Sequence, residues 1–157
     1  MNAAEQVSIR VAGAGDEAEV TRLIVAFRDF YDDTEPADAL IADAVEKLIG
    51  NAETEFLLGG DPAVGVAQLR FRHSVWTGAD DAWLEDLFVT ESARRGGVGR
   101  ALVEASAKRS RERGCKRLQL DTNETNAAAL ALYESLGFVT AKRAEDRGRD
   151  LYLTRRL

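Results

Sequence analysis

Two consecutive carboxylates, Glu85 and Asp86, stand in the apolar stretch "WLEDLFV", whose aromatic and aliphatic residues favour a β-strand. The stretch that follows, "TESARRGGVGRALVEA", carries arginines and glycines directly before a helix-like run. Backbone N–H groups at a helix N-terminus bind anions, and glycine allows an anion to approach the backbone closely. The sequence therefore predicts an anion site just downstream of two carboxylates that can take up a proton or bind a cation.

The spacing of the glycines excludes two nucleotide motifs. A Walker P-loop requires Lys and then Ser or Thr after its last glycine, whereas Arg100 and Ala101 follow Gly99. A dinucleotide fingerprint requires Gly or Ala three positions after Gly99, where Leu102 stands. Two interpretations stay open: a turn that only allows close helix packing, and a nest of N–H groups with flanking arginines for a phosphate-type group.

Composition narrows the class of protein. The chain has 157 residues, 45% of them hydrophobic, and a net charge of -6, which suits a small anionic ligand better than a nucleic acid. The N-terminal residues show neither a basic region nor an apolar run, and no segment approaches the ~20 apolar residues that span a bilayer. One Cys and one His make a poor zinc site. We expect a cytoplasmic protein with no metal, no membrane and no nucleic-acid partner.

The chain alternates between strand-like and helix-like segments, as in a single α/β domain. The sequence Gly59-Gly60-Asp61-Pro62 is typical of a hairpin turn, which predicts antiparallel strands on either side. A helix between Val89 and Leu118 implies a crossover connection and hence parallel strands. We therefore expect one domain over residues 1–157, α/β (α+β), with a mixed and mostly antiparallel central sheet flanked by helices. Predicted strands lie at 7–11, around the hairpin turn, at 83–89, and in "CKRLQLDT", "FVTAKRA" and "RDLYLTRRL"; predicted helices begin near 16, cover 37–49, run from Val98 to Gly114 and cover 126–136.

The glycine stretch resembles a known signature. Arg94-Arg95-Gly96-Gly97-Val98-Gly99 resembles the R-x-x-G-x-G motif of the GNAT N-acetyltransferase superfamily, placed as there between a strand and a helix. A second element matches downstream in "NAAALALYESLGF", where Tyr133 follows Asn126 by seven residues and precedes Gly137-Phe138. The strand "LEDLFV" most resembles that of spermidine/spermine-type small-amine N-acetyltransferases, although Arg95 stands where a glycine is usual and Thr125 replaces a frequent aromatic residue.

The resemblance implies transfer of an acetyl group from acetyl-coenzyme A to a primary amine, without an acyl-cysteine intermediate, between strands splayed to admit the cofactor. It implies a small-molecule amine as substrate. The similarity to spermidine/spermine-type enzymes implies that this amine is small and cationic. We also expect a homodimer. The expected cofactor-binding residues are Leu87, Phe88, Val89, Arg94, Arg95, Gly96, Gly97, Val98, Gly99, Arg100 and Asn126.

Amine acetylation requires a neutral amine and a proton for the departing thiolate. We expect Glu85 to accept the amine proton, directly or through water, unless it merely ends on a solvated strand face. We expect Tyr133, whose pKa is ordinarily about 10, to protonate the thiolate, whose pKa is about 8.5. The alternatives are a packed helix tyrosine and, for Asn126, a simple helix cap.

Strict alternation places Trp83, Glu85, Leu87 and Val89 on one face of the strand and Leu84, Asp86 and Phe88 on the other. Both carboxylates then share a pocket only if a bulge or bend interrupts the strand. Asp86, Tyr31 and Asp32 are expected to bind the amine, with Asp33 nearby.

Two further side chains are less suited to catalysis. Cys115 is expected to be a small core residue, and His73 a surface residue at a strand end. Two other functions stay open: acetylation of a protein or peptide N-terminus, and a noncatalytic acyl-coenzyme A sensor that would tolerate loss of Glu85 and Tyr133.

Overall fold

The computed structural model describes residues 7–140 and 153–156. The chain divides into two compact units, Met1–Asp121 and Thr122–Leu157. In the described part, the first unit contains a five-stranded sheet and three α-helices, and the second contains one α-helix. The strands are β1 Ile9–Val11, β2 Thr54–Gly59, β3 Gly65–Ser74, β4 Ala79–Val89 and β5 Leu118–Gln119; the helices are α1 Glu17–Phe30, α2 Asp38–Leu48, α3 Val98–Glu112 and α4 Ala127–Ser135.

The sheet is mixed, as the sequence predicts. Its strand order is β1-β2-β3-β4-β5; the first four strands are antiparallel neighbours, and β4 pairs with β5 in parallel. The turn after Gly59 joins β2 to β3, and α3 forms the crossover between β4 and β5. Both sequence-based connections are therefore confirmed.

Helices α1 and α2 cover one face of the sheet. Their buried residues pack on apolar side chains from β2, β3 and β4 and form one core cluster. Val20 and Leu23, three residues apart on α1, are fully buried, as expected for the inner face of an amphipathic helix. The cluster consists of Val20, Leu23, Ile41, Val45, Phe56, Leu58, Ala63, Val66 and Phe88.

Helix α3 covers the opposite face, and two features fix its position. A Cβ added to Gly65 on β3 would lie 2.9 Å from Val98 Cγ1 and 3.0 Å from Leu102 Cδ1, so the first turn of α3 needs glycine there. Near the other end, the Arg109 guanidinium donates two hydrogen bonds to Glu55 on β2, at 2.9 and 2.7 Å. The glycine stretch before α3 is thereby held at one end of β4.

Strands β4 and β5 pair only at Ala82–Leu118 and Trp83–Gln119. Strand β4 continues to Val89 along β3, so its second half has no β5 partner in the described chain. This is the opening between strands that the family resemblance implies.

The second unit is described by α4 and its ends. Asn126 Oδ1 accepts a hydrogen bond from the Ala129 N–H at 3.2 Å, which caps the helix. At the other end, Phe138 N–H bonds Tyr133 O at 3.0 Å and Gly137, with φ of 85°, bonds Glu134 O at 3.0 Å. This pattern is a Schellman motif, which places the Phe138 ring 5.7 Å from that of Tyr133.

Some predicted boundaries differ. The strand expected in "CKRLQLDT" is reduced to Leu118–Gln119, since β5 pairs with β4 only there. Residues 138–140 of the predicted strand "FVTAKRA" are not in a strand, and the rest of that segment lies outside the described residues. The predicted strand "RDLYLTRRL" also falls outside them, apart from residues 153–156, which are not in a strand.

Candidate active site

A β-bulge interrupts β4 at the two carboxylates. Leu84 pairs with Leu69 and Asp86 with Gln68, so Glu85 is an extra residue on β4. Glu85 Oε2 lies 3.9 Å from Arg70 Nη1. Arg70 and Gln68 are two positions apart on β3 and share a face, so both carboxylates lie on the face that carries α1 and α2.

The bulge changes the faces that strict alternation predicts. Trp83 pairs with Arg70, and the Arg72 guanidinium lies 5.8 Å from the Trp83 ring. Trp83 therefore shares a face with Asp86 and not with Leu87 and Val89. The prediction by alternation is wrong here because one inserted residue reverses every side chain beyond it.

Among the described carboxylates beside the opening between β4 and β5, Asp86 has the shifted pKa. Burial, and then the negative charges of Glu85 and Asp121, raise the pKa of its carboxyl to about 6. Each of these influences disfavours the ionised form. A carboxylate of this pKa is ionised at neutral pH and is also a useful proton acceptor, because its pKa lies close to the working pH.

Glu85 has different surroundings. Its side chain is 46% exposed, and its nearest cation is Arg70 at 3.9 Å. Asp121, just past the end of β5, is exposed and was not predicted from the sequence. Three carboxylates thus lie near the point where β4 and β5 part, and Asp86 is the least exposed of them.

The backbone of β4 presents hydrogen-bonding groups to the opening. Thr90 N–H bonds Val64 O at 2.9 Å, next to the pair Gly65–Val89. In an antiparallel ladder, this bond shows that the N–H and C=O of Val89 itself point away from β3. Because the direction repeats every second residue, the N–H and C=O of Leu87 also point away from β3. Both residues thus face the side that β5 has left, where an extended ligand can pair with them.

The glycine stretch forms a turn in which the Gly96 N–H bonds Ala93 O at 3.4 Å, ahead of the first turn of α3. Arg95 and Gly97 have positive φ values of 65° and 82°, and Gly97 caps α3. The first intrahelical hydrogen bond runs from Ala101 N–H to Gly97 O at 3.0 Å. The N–H groups of Val98 and Gly99 precede it and have no acceptor within the helix. They form the donor set that suits a pyrophosphate.

The two adjacent arginines have different roles in this turn. Arg94 Nε donates to Val89 O at 3.1 Å, and its guanidinium lies 4.1 Å from the centre of the Phe30 ring. Its side chain therefore lies against the strand and α1. Arg95 is exposed, and Arg100 lies 3.8 Å from Glu104.

Aromatic residues at the end of α1 lie against β4. Phe27 stacks on Phe88 with ring centres 5.2 Å apart, Phe30 lies 6.3 Å from Phe88, and Tyr31 lies edge-on to Phe30 at 5.3 Å. Phe88 is 6% exposed, so its side chain is part of the core and does not reach the opening. Tyr31 is exposed, and the next residue, Asp32, has φ of 55°.

A cavity of about 340 Å³ lies beside these rings, at the connection between α1 and α2. Its lining combines apolar side chains with two carboxylates, Asp33 and Glu35, and with Arg28, which is paired with Asp29 and Asp38. The contact between Phe30 and Phe88 was not predicted, because the two residues are 58 positions apart in sequence.

The second unit holds Tyr133 and Asn126. The Schellman motif holds the Tyr133 ring against Phe138, which explains why Gly137 and Phe138 accompany that tyrosine. Asn126 acts as a helix cap, which was the simpler of its two interpretations.

The weaker candidates lie elsewhere. His73 Nδ1 lies 3.0 Å from Asp80 on the exposed part of the β3–β4 hairpin, and Cys115 follows α3, where burial is the main influence that raises the pKa of its thiol. In the ranges 7–140 and 153–156, no three His, Cys, Asp or Glu side chains are placed to bind a metal ion. No helix in these ranges is long and apolar enough to span a membrane.

N–H donors at a helix N-terminus, an open strand edge and a partly buried carboxylate are features expected of an acyltransferase that uses a phosphate-bearing acyl donor. Residues 17–138 match the model of the acetyltransferase (GNAT) family. The chain belongs to this family and is an acetyl-CoA-dependent N-acetyltransferase.

Three comparisons describe its relatives. The chain is 31% identical over 112 residues to an aminoglycoside N(6')-acetyltransferase type 1 from Salmonella typhimurium, covering 69% of this chain and 77% of the relative. It is 29% identical over 153 residues to the thialysine N-epsilon-acetyltransferase of Bos taurus, covering 88% of each. A solved aminoglycoside N-acetyltransferase in complex with CoA shares the fold, with a TM-score of 0.75, 21% identity and 95% coverage of each chain.

Proposed function

We propose that this acetyltransferase acetylates a small primary amine that carries at least one further positive charge. The observation that carries the proposal is the partly buried carboxylate of Asp86 at the open edge of β4, with the charges of Glu85 and Asp121 acting on it. Negative charge at this point attracts an ammonium group and raises its local concentration. Aminoglycosides and thialysine, named in two relatives, are cationic amines, which supports the same class of acceptor.

The surroundings of the two carboxylates favour an exchange of the roles expected from the sequence. We assign proton acceptance to Asp86, because its pKa of about 6 lies near neutral pH and its carboxyl is partly shielded from water. We assign attraction of the cationic amine to Glu85, because it is exposed beside Asp86. Tyr31 and Asp32 at the end of α1, with Asp33 on the cavity, are proposed to contact the remainder of the amine.

The cofactor supplies an activated acetyl thioester. We propose that Leu87 and Val89 hold its extended arm through backbone hydrogen bonds. The turn from Arg95 to Arg100 holds its pyrophosphate, with the N–H groups of Val98 and Gly99 as donors, whereas the Gly96 N–H bonds Ala93 O. Asn126 is proposed to contribute through the helix end that it caps.

Proton transfers then balance the reaction. The Asp86 carboxylate takes one proton from the ammonium group, and the neutral amine forms the new C–N bond as the C–S bond breaks. The Tyr133 hydroxyl gives a proton to the departing sulfur and regains one when the amide nitrogen loses its second proton. Asp86 releases its proton to water, so each turnover yields the amide, the thiol and one proton.

A matched pair of amines tests the acceptor. We expect the kcat/KM for 1,4-diaminobutane to exceed that for n-butylamine by roughly 10-fold, about 1.4 kcal/mol, because only the diamine brings a second charge. The preference should shrink at 0.5 M salt. Thiol release measures both rates.

Two outcomes favour the other functions. Faster acetylation of short peptides at their N-terminus than of any diamine would indicate a protein N-acetyltransferase. Binding of acetyl-CoA without thiol release from any amine would indicate a sensor module. We also retain a cytoplasmic homodimer as a prediction, which light scattering and cell fractionation test.

A further inference from the structure

The side chain of Arg94 connects three parts of the candidate site. Its Nε donates to Val89 O at 3.1 Å, and its guanidinium lies 4.1 Å from the Phe30 ring centre and 5.9 Å from that of Phe88. Strand β4, the last residue of α1 and the turn before α3 therefore meet at this side chain.

The rings that Arg94 touches belong to the amine side of the site. Phe88 is two residues beyond Asp86 on the same face of β4, and Phe30 is followed by the proposed amine contacts Tyr31 and Asp32. Tyr31 packs edge-on against Phe30 at 5.3 Å. Movement of Phe30 would therefore move the residues that we assign to the acceptor.

The same side chain also bonds the main chain of β4. Its bond to Val89 O occupies one of the groups that β4 presents to the opening. Arg94 directly precedes Arg95, whose φ is positive. The Arg94 guanidinium is therefore directed towards β4 and α1.

We propose that Arg94 is a positioning residue for the amine acceptor and not a phosphate ligand. It holds Phe30, and through it Tyr31, against β4. This inference rests on the proposed function, since it names the residue that shapes the amine side of that site. Arg95, one residue on, supplies the positive charge near the phosphates.

Adjacent arginines allow a matched test, Arg94→Gln against Arg95→Gln. We expect Arg94→Gln to raise the KM for 1,4-diaminobutane about 10-fold with the acetyl-CoA Kd changed less than 2-fold. We expect Arg95→Gln to raise the acetyl-CoA Kd several-fold and to leave the KM for the amine nearly unchanged. Arg94→Lys, which keeps the charge but loses the planar group over the ring, should recover little of the KM.

A double-mutant cycle with Phe30→Leu tests the contact itself. We expect Phe30→Leu to raise the KM for the amine as Arg94→Gln does, and the double variant to be no worse than either single variant. The melting temperatures should show the same lack of additivity, and they require no substrate.

Each contrary result has its own meaning. A raised acetyl-CoA Kd with an unchanged amine KM in Arg94→Gln would overturn the positioning role, as would full additivity with Phe30→Leu. If wild-type protein acetylates no amine, the proposed function fails and the positioning role fails with it. If wild-type protein acetylates diamines and only the Arg94 variants behave contrary to expectation, the positioning role is overturned and the proposed function is kept.

Discussion

Glu85 and Asp86 are consecutive in β4, yet both carboxylates lie on the face of the sheet that carries α1 and α2. The bulge at Glu85 causes this arrangement, since Leu84 and Asp86 pair with neighbouring residues of β3 and leave Glu85 without a partner. The negative charge of Glu85 is one of the influences that raise the pKa of Asp86. The two residues therefore act as a pair, one exposed and one half-buried.

Removing the charge of Glu85 should lower the pKa of Asp86. We expect Glu85→Gln to shift the acidic limb of the kcat/KM profile to lower pH and to raise the KM for a diamine about 3- to 10-fold, because attraction of the cation is reduced. The measurement is the initial rate between pH 4.5 and 8. An unchanged limb would show that the two carboxylates do not interact, and Asp43→Asn on the exposed side of α2 is the control.

Burial of Asp86 should reduce stability at neutral pH. The folded protein holds the Asp86 proton up to about pH 6, whereas its unfolded value is 3.8. The folded state binds more protons in this window, so the contribution of Asp86 to stability falls as pH rises through it, by at most roughly 3 kcal/mol. We expect Asp86→Asn to be more stable than wild type at pH 8, with the difference shrinking towards pH 4.5.

Urea denaturation of both proteins at the two pH values measures this difference. Asp43→Asn again controls for loss of a surface charge. A constant difference between pH 4.5 and 8 would show that the pKa of Asp86 is close to its ordinary value.

The turn before α3 has a matched control at the far end of that helix. Gly97 and Gly114 have similar φ values, 82° and 78°, and an added Cβ meets no atom within 4 Å at either. Replacement by Ala should cost each variant a similar ~1 kcal/mol of stability, because a side chain is strained at positive φ. Only Gly97→Ala should raise the acetyl-CoA Kd, by about 10-fold or more. Calorimetric titration distinguishes them, and equal Kd values would exclude this turn as the pyrophosphate site.

Tyr133→Phe keeps the ring beside Phe138 and deletes the hydroxyl. We expect kcat to fall roughly 10- to 1000-fold, since a general acid is lost, with the acetyl-CoA Kd little changed. Stopped-flow measurement of the chemical step is the direct assay. An unchanged rate of that step would reduce Tyr133 to a packing residue of the Schellman motif.

The sequence predicts the features of this protein that local patterns determine. The glycine motif predicts the turn and α3, the Gly60 turn predicts the hairpin, and helix periodicity predicts α1. These features depend on residues close together in the chain. The apolar stretch around Glu85 and Asp86 also predicts that both carboxylates belong to one strand.

Contacts between segments that are distant in the chain could not be predicted from the sequence. The sequence left open whether a bulge interrupts β4, because a bulge depends on how β4 pairs with β3, so the shared face of Glu85 and Asp86 was not predicted. The burial of Asp86 and the proximity of Asp121 arise from the pairing of β4 with β3 and β5. The direction of the Arg94 side chain depends on Phe30, 64 positions earlier in the chain.

The central claim, that Asp86 accepts the proton of a cationic amine, is tested most directly by the pH dependence of kcat/KM for 1,4-diaminobutane. For wild type we predict a rise with an apparent pKa of about 6, followed by a plateau until the amine itself loses its proton, because kcat/KM reports the free enzyme and free substrate. In Asp86→Asn the rate should fall 100-fold or more, and the limb near pH 6 should disappear. A limb near pH 6 that persists in Asp86→Asn, or a wild-type rate that rises steadily from pH 5 to 9 with no plateau, would contradict it.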